Sequence, residues 1–279
     1  MNERIKVLFV ADKDGKSPFP QRDFELIDKN FQTRVSELYG IKFGIGNMQK
    51  IMKNFRSYLL SNIQFFKNLM WADVTYSWFA TDNSLFSVFF AKWLGKKSIV
   101  MIAGGEVVKM KEINYGGMLF FRNSMKVRFI LKCASKILAG SESNKKEIMS
   151  IYNLDMPIVY HSVDTRKYVS NDSERDGVLT VSYITKDHYV RKGLDRFIEI
   201  AREMQDLNFT IAGRILDRSV LNNIELPLNC KITGFLSDSE LIRQFQTAKI
   251  YLQLSRHEAF GISLAEAMAC DCIPVVSNI

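Results

Sequence analysis

Short apolar runs that alternate with segments of helical periodicity constrain this chain more than any other feature. Residues 5–10 form a compact apolar run, a polar loop with Gly15, Pro18 and Pro20 follows, and a helix is expected from about Arg22. A short strand is expected over 33–36. Between 48 and 69, Ile51, Phe55, Leu59, Ile63 and Phe66 recur at helical spacing. Then come a strand over 74–79, a helix over 84–94 ending at Gly95, and a strand with a glycine turn over 96–107. A helix over 118–131, a strand over 136–139, a capping serine at 141 with a short helix, and a strand over 158–160 complete this half. Such alternation favours a parallel sheet covered by helices.

Residues 162–177 are polar and charged and suit an interdomain linker. The pattern then restarts. Strands are expected over 178–184, 209–212 and 231–233, the last two ending in Gly213 and Gly234, with helices over 194–204 and 239–247. Ser237 and Glu240 have capping-box spacing. The final stretch, 251–279, reads as a strand over 251–254, a loop, a helix starting near Gly261 and a second buried strand over 273–276. A length of 279 residues also favours two domains, taken here as 1–165 and 166–279.

Hydrophobic content of 47% with 24% charged residues is that of a globular chain, and a net charge of +8 favours an anionic partner. Cys133, Cys230, Cys270 and Cys272 are too scattered for a disulfide framework, and the last two lack zinc-ligand spacing. The apolar residues 7–11 are too few for a signal peptide, and no apolar run is long enough to span a membrane, so a cytoplasmic protein is expected. No recognition-helix, RNA-binding or zinc pattern points to nucleic acid. The basic segment 118–132, with Arg122, Lys126, Arg128 and Lys132, is a candidate for peripheral contact with an anionic membrane surface. The plain alternative is a core-facing helix with a solvated basic face.

The stretch 251–279 carries the chemistry. A helix starting near Gly261 offers free backbone N–H groups and the positive end of its dipole, a ready site for phosphate. Glu258 lies before that helix and Glu266 inside it, with seven residues between them. One carboxylate can reach past the phosphate and the other can reach hydroxyls behind it, an order of groups that a sugar nucleotide presents. Two glutamates on a solvated surface are the plain alternative. Lys192 fits the same chemistry, because a departing diphosphate gains negative charge that a nearby ammonium stabilises.

Taken together these residues resemble the retaining glycosyltransferases of the GT4 family. Glu258, Phe260, Gly261, Glu266, Ala267, Met268, Ala269 and Pro274 match its E-x7-E segment, and Lys192 with Gly193 its lysine-glycine pair. Val163 and Asp164 match the strand-and-linker segment, and Gly234, Phe235 and Leu236 the turn that holds the nucleoside base. The resemblance implies a GT-B fold, two Rossmann-like α/β domains facing across a cleft, with the second incomplete because family members continue further. It implies transfer from a nucleotide-diphosphate sugar to a hydroxyl acceptor, glycan or lipid-linked, with no cofactor and no metal.

Glu258 and Lys192 would be catalytic. Glu266, Gly261, Ile262, Ser263, Phe260, Arg191, Gly234 and Phe235 would bind the donor. Gly104, Gly105 and Glu106 would line the acceptor side or the cleft. Ser182 and Tyr183 stand where the family has glycine and arginine, and Ala103 where it often has histidine. An inactive sugar- or nucleotide-binding protein on the same fold is therefore the alternative. His257 reads as a loop histidine rather than a catalyst.

Overall fold

The computed structural model describes residues 4–10, 18–36 and 55–279, which fall into two compact units. Gly15 and the first part of the helical pattern, 48–54, lie outside the described residues.

The first unit contains β1 (Lys6–Val10), α1 (Pro18–Asn30), β2 (Gln32–Ser36), α2 (Phe55–Trp71), β3 (Val74–Trp78), α3 (Asp82–Trp93), β4 (Lys97–Ile102), α4 (Phe121–Cys133), β5 (Lys136–Ala139) and α5 (Glu142–Ile151). Its strands pair in parallel in the order β2-β1-β3-β4-β5. Helices cover both faces, so β1 is apolar and buried from Val7 to Val10. Leu8 and Val10 pack with Phe65 and Leu69 of α2, while Val7 and Phe9 pack with Phe24 and Ile27 of α1.

Several boundaries differ from expectation by a few residues, three of them for clear local reasons. Helix α1 starts at Pro18 rather than near Arg22, because proline fits the first helical turn, where no N–H is needed. Strand β3 stops at Trp78, since Phe79 turns to φ +60°. Helix α4 starts at Phe121, and Met118 sits in a 3-10 turn before it. Ser141 caps α5 as expected, accepting from the Asn144 N–H at 3.1 Å. The expected strand over 158–160 is a single bridge, Ile158 to Ala139.

The second unit comprises residues 161–279 together with a short hairpin, 110–115, closed by paired hydrogen bonds between Met110 and Tyr115. It contains β6 (Asp176–Val181), α6 (Lys186–Arg191), α7 (Leu194–Glu203), β7 (Phe209–Ala212), β8 (Cys230–Ile232), α8 (Asp238–Thr247), β9 (Ala248–Gln253), α9 (Ile262–Ala269) and β10 (Ile273–Val276). The parallel order is β10-β9-β6-β7-β8. A capping box at Ser237 and Glu240 starts α8.

The polar run expected as a linker is fastened to this unit. Tyr168 is buried against Phe245, Lys167 pairs with Asp238 at 2.6 Å, and Gln246 donates to the Val169 carbonyl at 2.9 Å. Strand β10, expected to be buried, is exposed along its length, because it is the sheet edge and bonds to β9 alone. Among the described residues no helix is long and apolar enough to cross a membrane.

Candidate functional site

In the second sheet the chain runs outward from β6 through β7 and β8 on one side, and through β9 and β10 on the other. The order therefore switches between β6 and β9, and in open α/β sheets a ligand crevice lies beyond the strand carboxyl ends at that point. The segments leaving β6 and β9 carry most of the residues singled out above.

The segment after β6 holds a helix that the sequence reading missed. Thr185 caps α6, accepting from the His188 N–H at 3.1 Å, and α6 ends at Arg191. Lys192 and Gly193 thus form a joint between α6 and α7 rather than simply opening one helix. Gly193 is left-handed, φ +68°, and a Cβ there would lie 2.0 Å from the Leu254 carbonyl oxygen. This close approach brings the joint against the loop after β9.

Arg256 fixes the arrangement. Its N–H donates to the Arg191 carbonyl at 2.7 Å, and its guanidinium forks onto the Asp195 carboxylate at 2.8 and 2.6 Å. A bidentate pair of this kind sets orientation as well as energy. On that frame Lys192 Nζ donates to Glu258 Oε2, and Ser255 Oγ donates to the same oxygen at 3.4 Å.

Gly261 is the N-cap of α9, with φ +82°, and a Cβ on it would sit 3.4 Å from Glu258 Cγ. Ile262 and Ser263 open the helix, so their N–H groups have no intrahelical partner. Glu266 is buried on α9. Burial raises the Tyr251 hydroxyl pKa, and the Glu258 and Glu266 carboxylates add to the rise, so both act on one place. Phe260 meets the His161 ring edge-on at 5.2 Å.

Arg191 diverges from its neighbour Lys192. It donates to Asp187 at 3.3 Å, and its guanidinium lies 4.7 Å from the centre of the Tyr115 ring, which also tilts against His257. His188 sits 3.5 Å from Ser182 Oγ, at the end of β6. Burial, together with Arg191 and Lys192, pushes its pKa down to about 4. At the far side of the crest, Gly234 bridges Gly213, and a Cβ on Gly213 would lie 2.0 Å from the Ser182 carbonyl oxygen. Phe235 is exposed, with the Arg214 guanidinium 5.9 Å from its ring.

Gly104, Gly105 and Glu106 lie in the first unit, in the turn after β4. Glu106 bends back over Gly104 and accepts from the Ala103 N–H at 3.4 Å. Burial pushes its carboxyl up to about 7. A carboxyl raised this way favours the folded state below about pH 4.5, and that contribution is lost as pH rises towards 7. Glu106→Gln removes the penalty on ionisation. It is expected to stabilise the protein at pH 8 by on the order of 3 kcal/mol and to change little at pH 4. Thermal unfolding at both pH values checks this, and an equal effect at both would contradict it.

Residues 169–279 match the family described as glycosyl transferases group 1. This stretch is similar to that family. Lys192, Glu258 and Glu266 all lie in the matched stretch, as do Gly234 and Gly261.

The chain is 30% identical over 133 residues to GDP-mannose:cellobiosyl-diphosphopolyprenol alpha-mannosyltransferase of Xanthomonas campestris. That match covers 44% of this chain and 34% of the relative, about a third of its length. Sucrose-phosphate synthase from Thermosynechococcus elongatus superposes with a TM-score of 0.71 at 10% identity, over 99% of this chain and 82% of that one. Anabaena HepE in complex with UDP gives 0.63 at 13% identity, over 98% and 80%. The fold class is thus α/β of the GT-B type.

The sequence reading missed the Asp195–Arg256 clamp, Asp187, His188 and Tyr115. Thr185 with Asp187 in the following turn was a legible helix start. Nothing local marked the clamp, whose partners are 61 residues apart.

Proposed function

We propose that this protein is a retaining glycosyltransferase that moves a sugar from a nucleotide-diphosphate donor to a hydroxyl acceptor, glycan or lipid-linked. The observation that carries the reading is the Lys192–Glu258 pair beside the N-terminus of α9 at the sheet's switch point. In this reading the Ile262 and Ser263 amides hold the diphosphate together with Lys192, and Arg191 adds charge. Glu266 takes the ribose, Glu258 and Phe260 border the sugar, and Gly234 with Phe235 border the base. The bond between the anomeric carbon and the phosphate oxygen breaks, and Lys192 meets the charge left on the diphosphate. The acceptor hydroxyl attacks from the same face and its proton passes to the departing phosphate.

Gly104, Gly105 and Glu106 belong to the acceptor side in this reading. Metal-independent transfer is part of this reading. The Xanthomonas relative is named for a GDP-mannose donor and a polyprenol-linked acceptor, and HepE was crystallised with UDP, which favours this class of substrates. A lipid-linked acceptor would bring the protein to a membrane, with the basic helix α4 towards an anionic surface.

The test is a panel of UDP-, GDP- and ADP-sugars on the full-length protein, with and without EDTA, reading both affinity and released nucleotide. One donor is expected to bind and turn over in either condition. Tight binding without release or transfer would support an inactive binding protein instead, and no binding to any donor would overturn both.

A further inference from the structure

Three neighbouring helices of the first unit expose apolar side chains on the side away from their sheet. Helix α2 exposes Ile63, Phe66 and Met70, α3 exposes Phe89 and Trp93, and α4 exposes Phe121 and Met125. Spacings of three or four residues place each set on one stripe of its helix. The stripes are continuous. The Phe66 ring meets Phe90 edge-on at 4.8 Å, Phe90 meets Phe89 at 5.1 Å, and Phe89 lies 6.3 Å from Phe129 of α4. At the rim, Trp93 is 77% exposed and Phe121 82%. The opposite side of α4, with Val127, Ile130 and Leu131, is already buried in the core, so core packing does not account for the outer stripe.

Charge on the same helices is one-sided. Lys67, Lys92, Arg122, Arg128 and Lys132 are exposed, and the only acidic residue in the three helices, Asp82, is bonded to Lys126 at 3.1 Å. A second copy of this chain would bring the same cations against them and be repelled. An anionic lipid surface complements both features, because aromatic and aliphatic side chains enter the acyl boundary while Lys and Arg reach headgroup phosphates.

We propose that the outer face of α2, α3 and α4 docks on an anionic membrane surface, with Trp93 and Phe121 inserted and the surrounding lysines and arginines on the headgroups. The inference deepens the membrane part of the proposed function, giving it a three-helix face rather than one basic helix. It rests on that reading for its biological sense and on none of its transfer chemistry.

Co-sedimentation tests it with vesicles of phosphatidylcholine alone and of phosphatidylcholine with phosphatidylglycerol. The proteins are the full chain, the Trp93→Ser/Phe121→Ser variant and the Arg122→Glu/Arg128→Glu variant, each checked for folding by far-UV circular dichroism. Wild type is expected to pellet with the acidic vesicles only and to be released by salt. Both variants are expected to stay in solution, with partitioning lowered about five-fold for each cation removed. No pelleting with acidic vesicles, or undiminished pelleting of both variants, would overturn the proposal. A concentration-dependent dimer that Trp93→Ser disperses would overturn it too, by assigning the face to a second copy. Loss of vesicle binding with normal nucleotide release would leave the transfer reading standing.

Discussion

Lys192→Met is expected to slow sugar transfer by a factor of about 10²–10³, the usual loss when one charge-stabilising donor is removed from a developing anion. In the protein as described, the ammonium is held by Glu258, with both side chains mostly withdrawn from solvent. A diphosphate must therefore compete with that carboxylate for the same cation. This gives a second expectation that a merely structural ion pair would not. Glu258→Gln frees Lys192, so it should tighten binding of the bare nucleoside diphosphate while lowering turnover of the sugar nucleotide. Calorimetric titration with UDP and GDP, set beside nucleotide release, reads both effects. If Lys192→Met leaves turnover within two- to three-fold of wild type, roughly the scatter of context effects on such contacts, the lysine does not meet the leaving group.

Gly193→Ala should be among the most damaging small substitutions in the second unit. Its φ of +68° is costly for any residue with a Cβ, and the added atom would lie 2.0 Å from the Leu254 carbonyl oxygen and 2.6 Å from its carbon. Both are backbone atoms, so no side chain can swing aside. The joint between α6 and α7 would have to move, carrying Lys192 with it. A loss of about 3–5 kcal/mol is expected, in the range of the severest point changes. Gly234→Ala is the control. It shares a positive φ, +77°, but nothing lies within 4 Å of its added Cβ. Its cost should stay near 1–2 kcal/mol, the left-handed penalty alone. Equal melting temperatures for the two variants would mean that the close approach at Gly193 is not what matters.

What could be read in the sequence follows from how local its signals are. Strand and helix alternation depends on neighbours in the chain, and the strand runs at β1, β3 and β9 carried it plainly. The glutamate pair around Gly261 was legible for the same reason, since a loop, a cap and a helix follow one another there. Burial of β10 was misread because an apolar run does not say whether anything covers it. The polar run at 162–177, expected as a linker, shows what composition leaves out. Tyr168 anchors it and Lys167 ties it to α8, contacts that depend on the fold. Pairings across many residues, such as Arg256 with Asp195, leave no periodic trace and require the fold.

The hairpin at 110–115 has a practical consequence for anyone who would cut this protein in two. The chain enters the second unit once at Met110, leaves it after Tyr115, and enters again at His161. A fragment expressed from residue 161 onward would look complete by sequence and would include the entire matched domain. It would nevertheless lack the aromatic ring that rests on Arg191 and His257. Such a fragment would be a unit with one of its own walls removed, and its binding properties should not be taken for those of the intact chain.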